Sequence, residues 1–119
     1  MYITIKHTGA ELPEASSALV EEKLGALRKC IHDDEQAMLA CEIEESVSAA
    51  RAGAKYRVEG NLTVNGKLFR AEAMAETLEG AVDRVRDDLM REVLRSKGRA
   101  RHYLKRGGAA LKNMLRFGE

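Results

Sequence analysis

The residues around Asn65-Gly66 constrain the fold of this 119-residue chain more than any other segment. Before that dipeptide, every second residue from Tyr56 to Val64 is apolar or glycine, and the alternation returns from Phe69 to Ala75. Asn and Gly are the residues that tolerate the two positive φ angles of a type I′ turn. The segment therefore predicts an antiparallel hairpin with a two-residue loop.

A two-residue loop also fixes which residues of the hairpin lie opposite each other. On one face Glu59 is opposite Glu72, an unfavourable pair that Arg57 and Arg70 relieve from the diagonal positions, so we expect that face to be solvated. On the other face the predicted pairs are almost all apolar. They are Val64 with Lys67, Leu62 with Phe69, Gly60 with Ala71, and Val58 with Ala73.

Two further segments have the period of two that is typical of half-buried strands. The first runs from Tyr2 to His7, before Gly9 interrupts it. The small and polar residues 46–54 are expected to connect the second of these strands to the hairpin. The apolar positions of that second strand are Leu39, Cys41 and Ile43.

Two segments have the spacing of amphipathic helices. Pro13 is suited to a helix start, and the first helix is predicted over 14–31. Thr77 is a suitable N-cap for a second helix over 78–97, which Gly98 is expected to end. The apolar stripe of the first helix is Val20, Leu24, Leu27 and Ile31. That of the second is Leu78, Val82, Val85, Leu89 and Val93.

The order of these elements, β-α-β-β-β-α, predicts an α+β fold in which both helices cover one face of a four-stranded sheet. We expect this domain to span residues 1–98. A basic tail, 99–119, is expected to be disordered or to form a short amphipathic helix. The apolar residues of that helix would be Leu111, Met114, Leu115 and Phe117.

Several classes of protein do not fit the sequence. There is no apolar run of transmembrane length and no signal-peptide pattern, so we expect a cytoplasmic protein with reduced cysteines. Cys30, His32 and Cys41 lack the spacing of a zinc site. No convergent set of titratable residues supports catalysis. We therefore expect no enzymatic activity, metal, cofactor or small-molecule substrate.

The distribution of charge is more informative than its sum. Twenty basic and 19 acidic residues give a net charge of +1, but residues 1–76 carry −4 and residues 77–119 carry +5. The last 25 residues contain eight basic side chains and only Glu119 as an acid. This concentration of positive charge makes a polyanionic partner plausible for one end of the molecule.

The candidate phosphate-binding residues lie mainly on the second helix. Arg84, Arg91 and Arg95 fall within about 40° of one line on a helix of 3.6 residues per turn. Arginine suits phosphate because its planar fork donates two hydrogen bonds at once. The alternative is a solvated face with internal ion pairs to nearby acids. Further candidates are Lys97, Arg99, Arg101, Lys105 and Arg106, together with Lys23, Arg28 and Lys29 on the first helix.

The segments VEEKLGALRKC (20–30) and YRVEGNLTVNGKLFRAEAMAETLEGAVDRV (56–85) resemble the ribosome hibernation-promoting factor family. This family is also called ribosome-associated inhibitor A or sigma-54 modulation proteins. The resemblance implies a fold like that of double-stranded-RNA-binding domains. It also implies binding to the small ribosomal subunit, through ribosomal RNA and ribosomal proteins, in the channel of mRNA and tRNA, which silences idle ribosomes. The RNA-binding residues that it implies are Lys23, Lys29, Arg91 and Arg95.

The sequence departs from the family pattern at two helix-two positions. A common lysine is Asp88 here, and a common aromatic residue is Glu79. Arg28, Arg84 and Arg86 add positive charge that compensates for these changes. The chain is expected to be of the short type, which lacks the separate C-terminal dimerisation domain.

Two alternative functions remain at this stage. One is a module that binds structured RNA outside the ribosome. The other is a protein- or membrane-interaction module that acts through an amphipathic helix in the tail.

Overall fold

A computed structural model describes residues 1–8, 12–32, 35–45 and 55–107, with residues 99–107 described by their backbone alone. The connection predicted over 46–54 and the last part of the predicted tail, 108–119, lie outside the described residues. The elements are β1 (Tyr2–Thr8), α1 (Glu14–Gly25), a 3₁₀ helix (Ala26–Cys30), β2 (Ala37–Glu45), β3 (Tyr56–Val64), β4 (Lys67–Ala75) and α2 (Leu78–Gly107).

The four strands form one sheet in the order β1-β2-β3-β4. β1 pairs with β2 in parallel, and the other two pairs are antiparallel. The predicted hairpin is confirmed in its register, with Leu62 opposite Phe69. Asn65 and Gly66 have φ angles of 49° and 84°, as a type I′ turn requires. The α+β prediction is therefore confirmed.

The core lies between the sheet and the helices. Its buried side chains include Leu39 and Ile43 from β2, Leu24 from α1 and Val85 from α2. Gly60 of β3 allows the close approach of α2, because a Cβ atom there would lie 2.8 Å from Val85 Cγ1 and 3.0 Å from Leu89 Cδ1. Both helices thus occupy the same face of the sheet, as the sequence predicts.

The first helix changes geometry before its predicted end at residue 31. The α-helix ends at Gly25, and a 3₁₀ helix continues to Cys30. Residues three apart eclipse each other on a 3₁₀ helix, so this change aligns Leu24, Leu27 and Cys30, all of which are buried. Ile31, the last residue of the predicted stripe, is extended and only half-buried.

The second helix begins as predicted but does not end at Gly98. Its N-cap is Thr77, whose Oγ1 accepts a hydrogen bond from the Gly80 amide at 3.0 Å. The helix passes through Gly98 and ends at Gly107, so it crosses the domain boundary expected at 98/99. A glycine inside a helix costs only about 1 kcal/mol. The alanine, arginine, leucine and lysine residues that follow are good helix formers and offset that cost.

The face of the sheet that carries no helix is called the open face below. Glu72 and Arg70 are exposed there, as expected, but Glu59 is only 6% exposed. Its carboxylate is covered by Arg57, Arg70 and Asn61, which contact it at 3.0–3.1 Å. The prediction of a solvated face is therefore wrong at Glu59, because the relieving arginines also shield it from water.

Candidate nucleic-acid interface

The two helices that carry the candidate basic residues are neighbours on the helical face of the domain. Lys23 of α1 contacts Asp83, near the start of α2. Cys30 contacts Lys97, near the end of the part of α2 whose side chains are described. The two helices therefore run in the same direction, and their C-terminal ends lie at the same end of the molecule. Basic residues that are distant in sequence therefore share this end of the helical layer.

Lys23 is held by acidic residues of α2. Its Nζ atom lies 2.9 Å from Asp83 Oδ1 and 3.1 Å from Glu79 Oε1, and its side chain is only 19% exposed. The hydrogen bonds from Lys23 to Asp83 and Glu79 raise the pKa of the Lys23 ammonium group. Its charge is therefore neutralised within the protein, and it is a poor site for a phosphate.

Arg91 and Arg95 are exposed, and each forms one ion pair with an acid on its own helix. Arg91 Nη1 lies 3.1 Å from Asp88, and Arg95 Nη1 lies 3.0 Å from Glu92. Exposed pairs of this kind contribute at most about 1 kcal/mol. A phosphate can therefore replace the carboxylate at little cost, and both arginines remain available to RNA.

Two other arginines of α2 have different surroundings. Arg84 is exposed, and its Nη1 donates a hydrogen bond to the Met74 carbonyl at 3.3 Å. Arg86 is half-buried and pairs with Asp83 at 3.1 Å and Asp87 at 3.0 Å. Of the two, Arg84 is the more accessible to a ligand.

Lys97 does not join the exposed basic residues. Its ammonium group is buried, 2.6 Å from the Cys30 carbonyl and 3.0 Å from Glu35 Oε1. We therefore correct the sequence-based assignment of Lys97 as an RNA-binding residue. The spacing contains a signal for this burial, because Leu89, Val93 and Lys97 follow each other at intervals of four on the buried side of α2.

Arg28 and Lys29 lie on the exposed side of the 3₁₀ helix. The next residue, Cys30, contacts Lys97, so this end of the 3₁₀ helix lies beside the later turns of α2. Arg28 Nη2 donates a hydrogen bond to the Met1 carbonyl at 3.3 Å. Arg28 and Lys29 both lie in the last turn of the 3₁₀ helix, where the negative end of the helix dipole favours basic residues even without a ligand.

The helix backbone beyond Gly98 extends the basic region. Residues 99–107 add about 13 Å of helix at 1.5 Å per residue. Their sequence contains Arg99, Arg101, Lys105 and Arg106 and no acidic residue. The side chains of these four residues lie outside the described part of the chain.

The helical layer is therefore polarised in charge. We call Arg28, Lys29, Arg91, Arg95 and helix residues 99–106 the basic end. The other part, with α1 and the first turns of α2, is mainly acidic, and its Glu21 and Glu22 line a cavity together with Arg28. Its acids are Glu14, Glu21, Glu22, Glu79 and Asp83.

Other kinds of site are not evident in the described part of the chain. Its His, Cys, Asp and Glu side chains form no group of three or more that could hold a metal ion. Burial raises the pKa of the Cys41 thiol to about 12 and raises that of Cys30 as well, which makes both thiols unreactive. No helix in the described ranges is long and apolar enough to cross a membrane.

Comparison with known proteins shows which families and solved structures this chain resembles. The family model for sigma 54 modulation protein / S30EA ribosomal protein matches residues 3–101. The N-terminal domain of Protein Y from Thermus thermophilus superposes with a TM-score of 0.67 at 27% identity, covering 81% of this chain and 99% of that one. A comparison with curated proteins gave no match.

A second solved structure shares the fold at lower identity. It is a ribosomal subunit interface protein from Coxiella burnetii, with a TM-score of 0.65 and 20% identity. The match covers 82% of this chain and 99% of that chain.

Proposed function

Since this chain belongs to the family of sigma-54 modulation and S30EA ribosomal proteins, a family of ribosome-associated factors, we propose that it binds the small ribosomal subunit and silences idle ribosomes. The proposed site is the channel that mRNA and tRNA occupy during translation. The protein would act there by occupying space, without catalysis, in the cytoplasm.

The polarity of the helical layer is the observation that supports this proposal most directly. RNA presents a surface of phosphates, which attracts the basic end and repels the acidic end. The molecule would therefore dock in one orientation, with the ends of both helices against ribosomal RNA. A uniformly basic protein would have no such preference.

Arg91, Arg95, Lys29 and Arg28 are the proposed RNA contacts among the described side chains. Arg91 and Arg95 would exchange Asp88 and Glu92 for phosphate oxygens, which a guanidinium can bind with two hydrogen bonds. Arg84 would contribute at the margin of this surface. The helix residues Arg99, Arg101, Lys105 and Arg106 would continue the same line of contacts along the RNA backbone.

The proposed mechanism is competition. A domain that fills the mRNA and tRNA channel prevents their binding without altering the ribosome covalently. Its affinity needs to exceed that of the competing ligands only on a vacant ribosome. Addition of mRNA and tRNA should therefore release the protein, and stable binding of all three to one subunit would contradict the mechanism.

Co-sedimentation with purified small subunits at low salt tests the proposal. We expect the protein to sediment with the subunits, whereas its absence from the pellet would refute the proposal. An equal mass of structured RNA that is not ribosomal provides the specificity control. Equal binding to both would favour a general RNA-binding module.

Two variants with the same change in net charge test the proposed surface. Arg95→Glu reverses a charge at the basic end, and Lys6→Glu reverses an exposed charge on the open face. We expect Arg95→Glu to weaken sedimentation with subunits and Lys6→Glu to leave it unchanged. Equal weakening by both would show that net charge, and not the basic end, determines binding.

A further inference from the structure

The open face carries an exposed line of apolar side chains at one end of the sheet. Tyr2, Met38 and Leu68 are 67%, 56% and 59% exposed. The strand register places Tyr2 beside Met38, Met38 beside Thr63, and Thr63 beside Leu68. We call Tyr2, Met38 and Leu68, with Thr63 between Met38 and Leu68, the apolar row. It crosses all four strands, with neighbours about 5 Å apart.

The rest of the open face is unsuitable for RNA. Four glutamates lie there, against three basic side chains, Lys6, Arg57 and Arg70. All three form ion pairs with those glutamates. The glutamates are Glu42, Glu44, Glu59 and Glu72. The apolar row is therefore a surface for an apolar partner and not for a phosphate.

We propose that the end of the segment 111–117 of the same chain, LKNMLRF, docks on the apolar row through Leu115 and Phe117. This segment contains four apolar residues, Leu111, Met114, Leu115 and Phe117. The inference is independent of the proposed function, since it concerns the free protein.

The position of α2 supports this choice of partner. Ser96 Oγ lies 2.7 Å from Lys67 Nζ, and Lys67 directly precedes Leu68 of the apolar row. The later part of α2 therefore leaves the domain at the end of the sheet where the row lies. Gly107 and Gly108 follow at the end of the helix, and glycine readily permits the chain to reverse direction.

The length of the segment is sufficient for this path. The 11 residues after Ser96, up to Gly107, extend α2 by about 16 Å, and the chain must run back over that distance. It must also cross a layer of about 10 Å to reach the open face. Eight extended residues span up to about 27 Å, so Leu115 and Phe117 can reach the row.

The size of the row also favours a short segment. A stable interface between two folded proteins buries about 800 Å² on each partner, far more than three half-exposed side chains provide. A second copy of the domain would therefore gain too little from this surface. A flexible segment attached to the same chain has a high effective concentration and needs only a small contact.

Methionine methyl NMR of the full-length chain tests the inference. The chain has five methionines, of which Met38 lies in the apolar row and Met74 is exposed at the other end of the open face. The test variant is Leu115→Ser/Phe117→Ser. The matched control, Lys112→Ser/Asn113→Ser, changes the same segment but keeps its apolar residues.

We expect the Met38 methyl signal to move in the test variant and to remain in place in the control variant. The Met74 signal should not move in either, which also verifies that the sheet is intact. Leu68→Ser should in turn move the signal of Met114. An unchanged Met38 signal in the test variant, equal movement in both variants, or a Met38 signal that depends on protein concentration would each overturn the inference.

Discussion

The ammonium group of Lys97 lies 3.0 Å from Oε1 of Glu35, and both side chains are less than one tenth exposed. The same ammonium group lies 2.6 Å from the Cys30 carbonyl, and Glu35 Oε1 also accepts a hydrogen bond from the His32 amide at 2.7 Å. This contact ties α2 to the end of the 3₁₀ helix and to the segment before β2. The orientation of the basic end thus depends on a buried ion pair.

Lys97→Met should destabilise the domain by about 3 kcal/mol, because it leaves the Glu35 carboxylate buried without its counter-charge. Urea unfolding measures the loss. The exposed neighbour provides the control, since Arg95→Met should change the free energy of unfolding by no more than about 0.5 kcal/mol. Adding Glu35→Met to Lys97→Met should recover much of the stability. A Lys97→Met protein as stable as the parent would contradict the structural role of the pair.

Gly60→Val should destabilise the domain by about 1–3 kcal/mol, because the added atoms would overpack the contact between β3 and α2. The Cβ alone would lie 2.8 Å from Val85 Cγ1. Gly98→Ala is the matched comparison. A Cβ there meets nothing within 4 Å, so this change should stabilise the helix by about 0.5–1 kcal/mol. Thermal unfolding of both variants checks whether they move in opposite directions.

Glu59 should contribute to the sensitivity of the domain to acid. Hydrogen bonds from Asn61 and Arg70 lower the pKa of the Glu59 carboxyl below its ordinary value, with further help from the charge of Arg57. The ionised form therefore stabilises the fold above the ordinary pKa, and this contribution is lost as the pH falls through the lowered value.

Glu59→Gln should consequently reduce the difference in the free energy of unfolding between pH 7 and about pH 3. Asn61→Ala should reduce it as well, by removing the largest cause of the lowered pKa. Urea titrations at the two pH values provide the measurement. If the Glu59→Gln protein lost as much stability on acidification as the parent, the interpretation of Glu59 would be wrong.

Removing the acids that hold Lys23 should strengthen ribosome binding, if the proposed function is correct. In Asp83→Asn/Glu79→Gln two charges that repel RNA disappear from the acidic part of the helical layer, while the Lys23 side chain stays away from the basic end. The affinity for small subunits should therefore rise at low salt, and the gain should shrink as added salt screens the charges. Binding to small subunits at several salt concentrations measures the gain. Glu42→Gln, on the open face, should leave the affinity unchanged.

Local sequence was sufficient for most of the fold. The Asn65-Gly66 turn determined the hairpin register, because a two-residue loop allows only one set of opposite residues. The recurrence of apolar residues at the helical period of 3.6 residues likewise identified Val82, Val85 and Leu89 as the buried side of α2. Both signals depend on neighbours within a few positions, where backbone geometry is nearly fixed. The end of α2 was predicted wrongly, because a single glycine costs less than the following helix formers contribute.

The candidate site could be predicted only as a set of basic residues. Sequence identified Arg91 and Arg95 but not the state of Lys23 or Lys97, since their partners Asp83 and Glu35 lie 60 and 62 residues away. The burial of Glu59 also depends on Arg70 from a neighbouring strand. The sequence alone thus determined the order of the main elements, the register of the hairpin and the overall polarity of charge. Only the tertiary structure decided which charges remain exposed, because ion pairing and desolvation depend on contacts between distant segments.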